Sequence, residues 1–331
     1  MGNLVSVVIP TYNGSAFLRE ALASVVAQTQ LPREVLIVDD GSTDGTAELA
    51  ESLGGDAPLP VRVLRLRKNS GGPARPLNVG IEAAVGDFIA VLDQDDLFAP
   101  RKLEQQAGLL ACQPRTAFVF SCCGRYGRAG ETVQGQDTIR QLCEAGELRQ
   151  GYYEMDSRVL LRALLVEGCF VLGFPGFLFR RSHWEQKGGL DEKLTIAADY
   201  DFLCWLSTQG NAAFLPETVY WRRVHAGNMT KRRIRMYLET AQVRVRYLRQ
   251  ARWLLADPAL VQRLRDELHT LGYWTREAGE YWAAARFYFF AAKAFGWDWQ
   301  TALACLKLLP HLLWSKASRR PPVYSSLTCS E

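Results

Sequence analysis

The sequence predicts an α/β protein in which a mainly parallel sheet is flanked by helices and followed by an all-helical C-terminal region. Short runs of apolar residues alternate with amphipathic helical patterns through the first 125 residues. These runs are apolar on both faces, which is typical of strands in a parallel sheet that is covered on both sides. From about residue 230 to residue 314 the pattern is helical throughout, apart from a turn near Asp257.

Each element has a local signal. We predict strands at residues 5–9, 35–38, 61–66 and 88–92. The first helix should be capped by Ser15, because its apolar residues follow at helical spacing. Further helices are predicted at 43–53, in a segment that ends at Ala84, and in another segment that begins at about Pro100. In the second half we predict a strand region at 170–179 and a helix at 198–209.

Composition excludes several classes of protein. Of the 331 residues, 48% are hydrophobic and 22% charged, which is typical of a globular chain and not of a disordered or fibrous one. No run of eighteen apolar residues predicts a transmembrane helix, and no secretory signal is evident. The eight cysteines form no C-x-x-C pair. We therefore expect reduced thiols and a cytoplasmic protein.

Charge is distributed unevenly along the chain. From Val219 onward there are 19 basic and 8 acidic residues, whereas the rest of the chain holds 20 basic and 27 acidic residues. The basic segment is also rich in aromatic residues. It could form a solvated helical face over an aromatic core, or it could bind an anionic membrane surface or a lipid-diphosphate acceptor there. Nucleic acid is not expected as a partner, because no recognised binding motif is present.

The candidate chemistry rests on carboxylates, since glycine-rich dinucleotide, P-loop and nucleophile-elbow motifs are absent. Asp93, Asp95 and Asp96 directly follow a predicted strand. Such a cluster favours the binding of a divalent cation whose coordination is completed by substrate phosphates. The alternative is a solvated turn that caps the following helix. Asp39 and Asp40 end another strand, where a carboxylate could accept an N–H of a base or shape a tight turn.

Several segments stand in a recognisable order. They are VSVVIPTYN at 5–13, IVDDGSTD at 37–44, NVGI at 78–81, AVGD at 84–87, LDQDD at 92–96, FRR at 179–181, GGLDE at 188–192, DYD at 199–201 and RVHAGN at 223–228. Together they resemble the inverting family 2 glycosyltransferases, which adopt the GT-A fold. The resemblance covers about residues 4–230 and does not reach the C-terminal hundred residues.

This resemblance implies roles for individual residues. The nucleotide-sugar should be bound by Pro10, Thr11, Tyr12, Asp39, Arg75, Asp93, Gln94 and Asp95, with Asp39 on the base. A metal ion, Mn²⁺ or Mg²⁺, should be held by Asp95, Asp93 and His225.

Asp199 corresponds to the general base that deprotonates the acceptor. Two positions depart from the family pattern. The family usually has an acidic residue before the base, whereas Ala198 stands here, so Asp201 could share or take that role. Arg75 lies two residues before the family's usual arginine, which leaves its phosphate contact open.

We therefore expect a metal-dependent glycosyltransferase that moves a sugar from a nucleoside diphosphate donor, a UDP-sugar, to a hydroxyl of a glycan or lipid-linked glycan. The alternatives are a catalytically lapsed nucleotide-sugar-binding module and a nucleotidyltransferase on a similar sheet. The loop at 11–14 offers no Lys or Arg for the latter. The expected domains are 1–230, with halves 1–125 and 126–230, then a helical region at 231–315 and a flexible tail at 316–331.

Overall fold

The structure is a computed structural model that describes residues 5–126, 132–133, 140–141, 143–144, 146–169, 173–225 and 233–317. The described residues fall into two compact units, one up to residue 225 and one from residue 233. The predicted domain boundary near 230, the end of the RVHAGN segment and nearly all of the predicted tail lie outside the described residues. Each unit is therefore considered by itself.

The first half of the first unit alternates strands and helices as predicted. Its elements are β1 (Val5–Thr11), α1 (Leu18–Val26), β2 (Glu34–Asp39), α2 (Thr46–Gly55), β3 (Val61–Arg65), α3 (Ala74–Ala83), β4 (Phe88–Val91), β5 (Leu97–Phe98) and α4 (Lys102–Cys112). The predicted Ser15 cap is wrong. Helix α1 begins three residues later, and the Ser15 amide donates instead to Asp44.

The second half of this unit adds the elements that complete the sheet. They are β6 (Thr116–Tyr126), β7 (Thr132–Val133), β8 (Glu147–Leu148), β9 (Tyr153–Met155), α5 (Ser157–Glu167), β10 (Phe177–Arg180), α6 (Arg181–Lys187), α7 (Ala198–Leu206) and β11 (Asn211–Arg223). A single 3₁₀ turn, Phe174–Gly176, precedes β10. The strand region predicted at 170–179 is shorter in the structure, and residues 170–172 lie outside the described part.

The described strands form one mixed sheet in the order β3-β2-β1-β4-β10-β6-β11-β9-β8. Strands β1 to β4 pair in parallel, as do β6 and β11, whereas β10 runs antiparallel to both of its neighbours. Strands β1, β2 and β4 are buried along their whole length, because helices cover both faces. The predicted α/β sheet flanked by helices is thus confirmed, with the parallel order concentrated in the first four strands.

The second unit is helical, as predicted. It consists of α8 (Arg233–Gln250), a 3₁₀ turn (Arg252–Ala256), α9 (Pro258–Glu277), α10 (Tyr281–Phe295) and α11 (Trp299–Ala317). Its core includes Leu238 of α8, Leu268 of α9 and Phe287 of α10. Among the described helices, none combines the length and apolar character that a membrane crossing requires.

Candidate active site

Three strands deliver the predicted site residues to one edge of the sheet. The register pairs Thr11 with Asp39, and the amide of Leu92, just beyond β4, donates to the carbonyl of Val8. Asp93 therefore follows the strand that lies next to β1 on the side opposite β2. Ligands of open α/β sheets bind at the carboxyl ends of the strands, so this edge is the expected position of a site.

Loops beyond β1 and β2 are joined by hydrogen bonds. Asp39 is buried, and its carboxylate accepts from the Thr11 hydroxyl at 3.4 Å and from the Ser42 amide at 3.0 Å. Asn13, which has a φ of 48°, accepts from the Thr43 amide. Tyr12 lies between these loops with 44% of its surface exposed. Asp39 is thus fixed in place by the end of β1 and the turn after β2, and Tyr12, which follows Thr11 in the chain, is open to a ligand.

Gln94 joins the β1 loop to the acidic loop after β4. The Tyr12 amide donates to Gln94 Oε1 at 2.9 Å, and Gln94 Nε2 donates to the Tyr12 carbonyl at 3.1 Å. A Cβ at position 14 would overlap Gln94 Oε1, so a larger residue there would displace the Gln94 amide. Both ends of the Gln94 amide are therefore engaged by the protein, and its contribution is to hold Tyr12 in position.

The acidic loop carries the predicted metal ligands Asp93 and Asp95. Asp95 Oδ2 lies 2.7 Å from His225 Nε2, and the His225 ring packs against Phe17 at 4.9 Å between centroids. Asp96 points inward, where its buried carboxylate accepts from the Arg223 amide at 3.0 Å. The structure thus brings His225, 130 residues away in sequence, to the acidic loop.

Gly173 lies between the acidic loop and Asp199. A Cβ at this glycine would lie 3.8 Å from Asp199 Oδ2 and 3.9 Å from Asp93 Oδ2. The two carboxylates, one from each half of the unit, therefore border the same small space. Gly173 has φ 80° and ψ 172°, a conformation that glycine adopts far more readily than other residues.

Asp199 and Asp201 differ in environment although both lie in the first turn of α7. Asp199 is half-buried, and its Oδ1 accepts from the Tyr200 amide at 2.7 Å. The side chain of Asp201 is 1% exposed and forms an ion pair with Lys187 Nζ at 2.9 Å. Of the two predicted bases, Asp199 is the one beside Asp93, whereas Asp201 is engaged in the interior.

Negative charge accumulates at this edge of the sheet. Burial raises the pKa of Asp93 to about 7, the carboxylates of Asp95 and Asp199 add to the rise, and Arg222 opposes it. Burial also raises the pKa of Asp96 well above its usual range, and the carboxylates of Asp93 and Asp95 add to this rise. A cation placed among these groups would offset the repulsion.

Arg75 and Asn78 lie on α3 and face the loop that leads to α7. Arg75 is exposed and lies 3.3 Å from Glu192. Asn78 accepts from the Leu190 amide at 2.8 Å and from Trp184 Nε1 at 3.2 Å, and it donates to the Leu190 carbonyl at 3.0 Å. The GGLDE segment is therefore anchored to the first half of the unit by one amide side chain.

Sequence reasoning missed three residues of this site. Arg222 directly precedes the RVHAGN segment, and its charge lowers the pKa of Asp93. Gly173 precedes a Phe-Pro-Gly run, which signalled a turn but not its position. Cys169 is half-buried near Asp199, whose charge adds to the effect of desolvation in raising the pKa of the thiol. A lone Arg, Gly or Cys carries no spacing signal, so only the fold could assign these residues to the site.

The predicted metal ligands fit a divalent cation in part. Carboxylate oxygens suit Mn²⁺ and Mg²⁺, and Asp95 and His225 are in contact. Within the part of the chain that the structure describes, however, no three His, Cys, Asp or Glu side chains are grouped so that they could hold a metal ion. The donor set therefore fits an ion that needs further ligands from a substrate, as Mg²⁺ commonly does with phosphates.

Comparison with known proteins identifies the family. Residues 6–186 match the family described as Glycosyl transferase family 2, which is more than half of the chain. The chain belongs to glycosyl transferase family 2. The predicted resemblance to this glycosyltransferase family is therefore confirmed. An uncharacterized glycosyltransferase of Rickettsia prowazekii is 31% identical over 229 residues, which is 69% of this chain and 66% of that protein.

Solved structures extend the likeness to the whole fold of this glycosyltransferase. S. aureus TarS 1–349 in complex with UDP-GlcNAc matches with a TM-score of 0.63 at 18% identity, over 95% of this chain and 91% of that one. A mannosyltransferase from Pyrobaculum calidifontis, in complex with GDP-Man and Mn²⁺, matches with a TM-score of 0.55 at 21% identity, over 95% and 83%. These likenesses confirm the predicted GT-A-like fold.

Proposed function

We propose that this enzyme is a metal-dependent inverting glycosyltransferase that moves a sugar from a nucleoside diphosphate donor, a UDP-sugar, to a hydroxyl of a glycan or lipid-linked glycan. One observation carries the proposal. Asp93 on the nucleotide side and Asp199 on the opposite side border the same space beside Gly173. Inversion at an anomeric carbon needs one in-line attack, with a base on one side and charge stabilisation on the other.

The donor base would bind at the ends of β1 and β2. Asp39 accepts but cannot donate, so it suits the imide N–H of uracil, and the exposed Tyr12 ring would contact the base. Pro10 and Thr11 would line the base and ribose, and Arg75 would approach the diphosphate. The UDP-GlcNAc bound by TarS supports a uridine donor, whereas the GDP-Man bound by the mannosyltransferase makes guanosine the competing choice.

Asp93, Asp95 and His225 would hold Mn²⁺ or Mg²⁺ together with the donor's diphosphate. When bound, the cation neutralises charge on the leaving nucleoside diphosphate. The Mn²⁺ in the mannosyltransferase structure supports this choice of cofactor. Gln94 would contribute by holding Tyr12, since its own amide is already paired.

Asp199 would remove the proton from the acceptor hydroxyl as that oxygen attacks the anomeric carbon. The Tyr200 amide donates to its Oδ1, which orients the carboxylate at the start of α7. Asp201 is less suited, because its carboxylate is buried against Lys187. The product sugar would then carry the inverted configuration.

The first test is calorimetric titration of UDP and of GDP, each with Mn²⁺, with Mg²⁺ and with EDTA. We expect UDP to bind at least tenfold more tightly than GDP, and only with a metal ion. Asp95→Asn and Asp39→Asn should weaken this binding, whereas Asp56→Asn, which removes an exposed carboxylate at the end of α2, should not. Tighter binding of GDP, or equal binding in EDTA, would contradict the donor or the metal assignment.

The assignment of Asp199 as the general base is tested separately. Asp199→Asn should abolish transfer and leave UDP affinity within about twofold, because the carboxylate acts on the acceptor. Activity that survives Asp199→Asn but is lost in a folded Asp201→Asn variant would transfer the role to Asp201.

We also propose that the helical unit attaches the enzyme to the anionic cytoplasmic face of a membrane. Trp282, Arg286, Phe289 and Lys293 of α10 are exposed and spaced along one helix face. Aromatic and basic residues on one stripe suit a helix lying in a lipid interface. Phe289→Glu should reduce co-sedimentation with phosphatidylglycerol vesicles at least fivefold, whereas Tyr237→Glu on α8 should not. Undiminished sedimentation of the Phe289 variant would contradict this attachment.

A further inference from the structure

An open groove of about 390 Å³ lies in the helical unit, between α9 and α11. Its lining includes His269, Tyr273, Arg276, Tyr288, Trp299 and Lys307. The volume falls within the roughly 300–1,000 Å³ that is usual for small-ligand sites. Every one of these residues belongs to the second unit, so the groove is complete within it.

Aromatic rings stand open to solvent at the groove. Trp299 is 72% exposed and Tyr273 is 46% exposed. The Arg276 guanidinium lies over the Tyr273 ring at 5.2 Å, so Trp299 offers the more open face. Large exposed aromatic surfaces of this kind mark binding sites. A flat aromatic face suits the apolar face of a sugar ring.

Polar groups between the rings suit hydroxyls. His269 Nε2 lies 2.9 Å from the Thr301 hydroxyl, which fixes the imidazole at the groove. Thr270 and Gln300 also line the groove and offer a hydroxyl and an amide. Hydroxyl and amide groups of this kind suit hydrogen bonds with the hydroxyls of a saccharide.

Positive charge at the groove is only partly compensated. Arg276 pairs with Glu277 at 2.8 Å, whereas Lys307 has no ionic partner among the described residues. Among the described residues, no acidic side chain lines the groove, and Asp298, next to Trp299, is paired with Arg265 at 3.2 Å. Charge complementarity therefore favours an anionic ligand, and two cations are too few to follow the backbone of a nucleic acid strand.

We propose that this groove binds an acidic oligosaccharide, such as a segment of a polyanionic glycan that carries the acceptor hydroxyl. The aromatic rings would stack on sugar faces, and Lys307 and Arg276 would contact the acidic groups. The identification of the ligand as acceptor rests on the proposed function, whereas the binding itself does not.

The test is calorimetric titration of the full chain with tetragalacturonic acid, and with maltotetraose as a neutral tetrasaccharide. We expect the acidic sugar to bind at least fivefold more tightly and to weaken as salt is raised. Trp299→Ala and Lys307→Gln should each weaken it at least tenfold. The matched controls Trp297→Ala and Lys293→Gln remove an exposed tryptophan and an exposed lysine outside the groove lining and should change affinity less than twofold.

The outcomes separate the two proposals. UDP affinity, measured on the same preparations, should be equal in wild type and in the groove variants. Failure of UDP to bind any preparation would overturn the proposed donor and leave the groove assignment standing. The groove proposal would be overturned if tetragalacturonic acid did not bind or if maltotetraose bound equally well. It would also be overturned if the groove variants bound tetragalacturonic acid as tightly as wild type, or if oligouridylate displaced this ligand at equal concentration.

Discussion

Replacement of Gly173 by alanine tests whether the juxtaposition of Asp93 and Asp199 is needed for transfer. The added Cβ would lie at ordinary van der Waals distance from both carboxylates, 3.9 and 3.8 Å, so a direct clash is not expected. The perturbation comes instead from the backbone. With φ 80° and ψ 172°, Gly173 occupies a region that is essentially restricted to glycine.

The expected magnitude follows from that conformation. A non-glycine residue held there costs about 1–3 kcal/mol. For a unit of about 150–250 residues this lowers Tm by about 2–4 °C for each kcal/mol. If the chain relieves the strain by shifting the 3₁₀ turn Phe174–Gly176, the space between the two carboxylates changes. A displacement of about 1 Å at a reacting centre can reduce the rate about 100-fold.

The assay combines thermal unfolding, UDP titration and turnover of a UDP-sugar. Gly173→Ala should lower Tm, leave UDP affinity within a few-fold and reduce kcat about 100-fold. Gly296→Ala is the matched control, because Gly296 has φ 87° and ψ 164° with open space around its Cβ position in the other unit. It should strain the backbone equally and leave kcat unchanged. Wild-type turnover by a Gly173→Ala protein of lowered Tm would refute the reasoning.

Three further predictions concern polar side chains that the first unit holds in place. Burial lowers the pKa of Lys102 from 10.5 to about 7, so the unfolded chain binds more protons between these values and stability falls as pH falls toward 7. From pH 9 to pH 7 the free energy of unfolding of wild type, measured by urea denaturation, should fall by about 2–3 kcal/mol relative to that of Lys102→Met, since each pH unit contributes about 1.4 kcal/mol. Parallel pH profiles of the two proteins would contradict this prediction. Asp201→Asn should destabilise the unit by about 3–5 kcal/mol, because Lys187 is left buried without its partner, and an unchanged Tm would contradict this. Gln94→Ala should weaken UDP binding at least fivefold, because it removes the two hydrogen bonds that hold Tyr12. An unaltered UDP affinity by calorimetry would show that these hydrogen bonds are not needed for binding.

The nucleotide side of the fold could be predicted from sequence because its signals are local. Strands β1, β2 and β4 are uniformly buried and read as apolar runs. The carboxyl ends of parallel strands lie at the same edge of a sheet. Asp39 and Asp93 could therefore be assigned to the same site from the sequence alone.

Strands β6 and β11 were not predicted, although they occupy the middle of the sheet. Their pairing is interrupted by register shifts between Leu215 and Thr218 and between Thr218 and Tyr220. The intervening Pro216 and Glu217 are exposed and break the apolar run. A bulge of this kind removes the regular period on which strand prediction depends.

The choice between Asp199 and Asp201 also needed the structure. Both lie in the first turn of α7 and have the same side chain, so sequence spacing alone treats them alike. Their difference comes from Lys187, which reaches Asp201 from α6, and from Gly173, which brings Asp93 near Asp199. Each of these contacts joins segments that sequence patterns cannot place relative to one another.

The position of Asp199 depends on the nucleotide side through more than the sheet. Asn78 on α3 forms hydrogen bonds with both backbone groups of Leu190, and Gly72 lies so close to Thr195 that a Cβ would approach its backbone to 2.8 Å. The segment leading to α7 is thus fixed at two points against the loop and helix that border the proposed diphosphate site. Because these contacts join the two halves of the unit next to α7, they help to hold Asp199 at its position relative to Asp93.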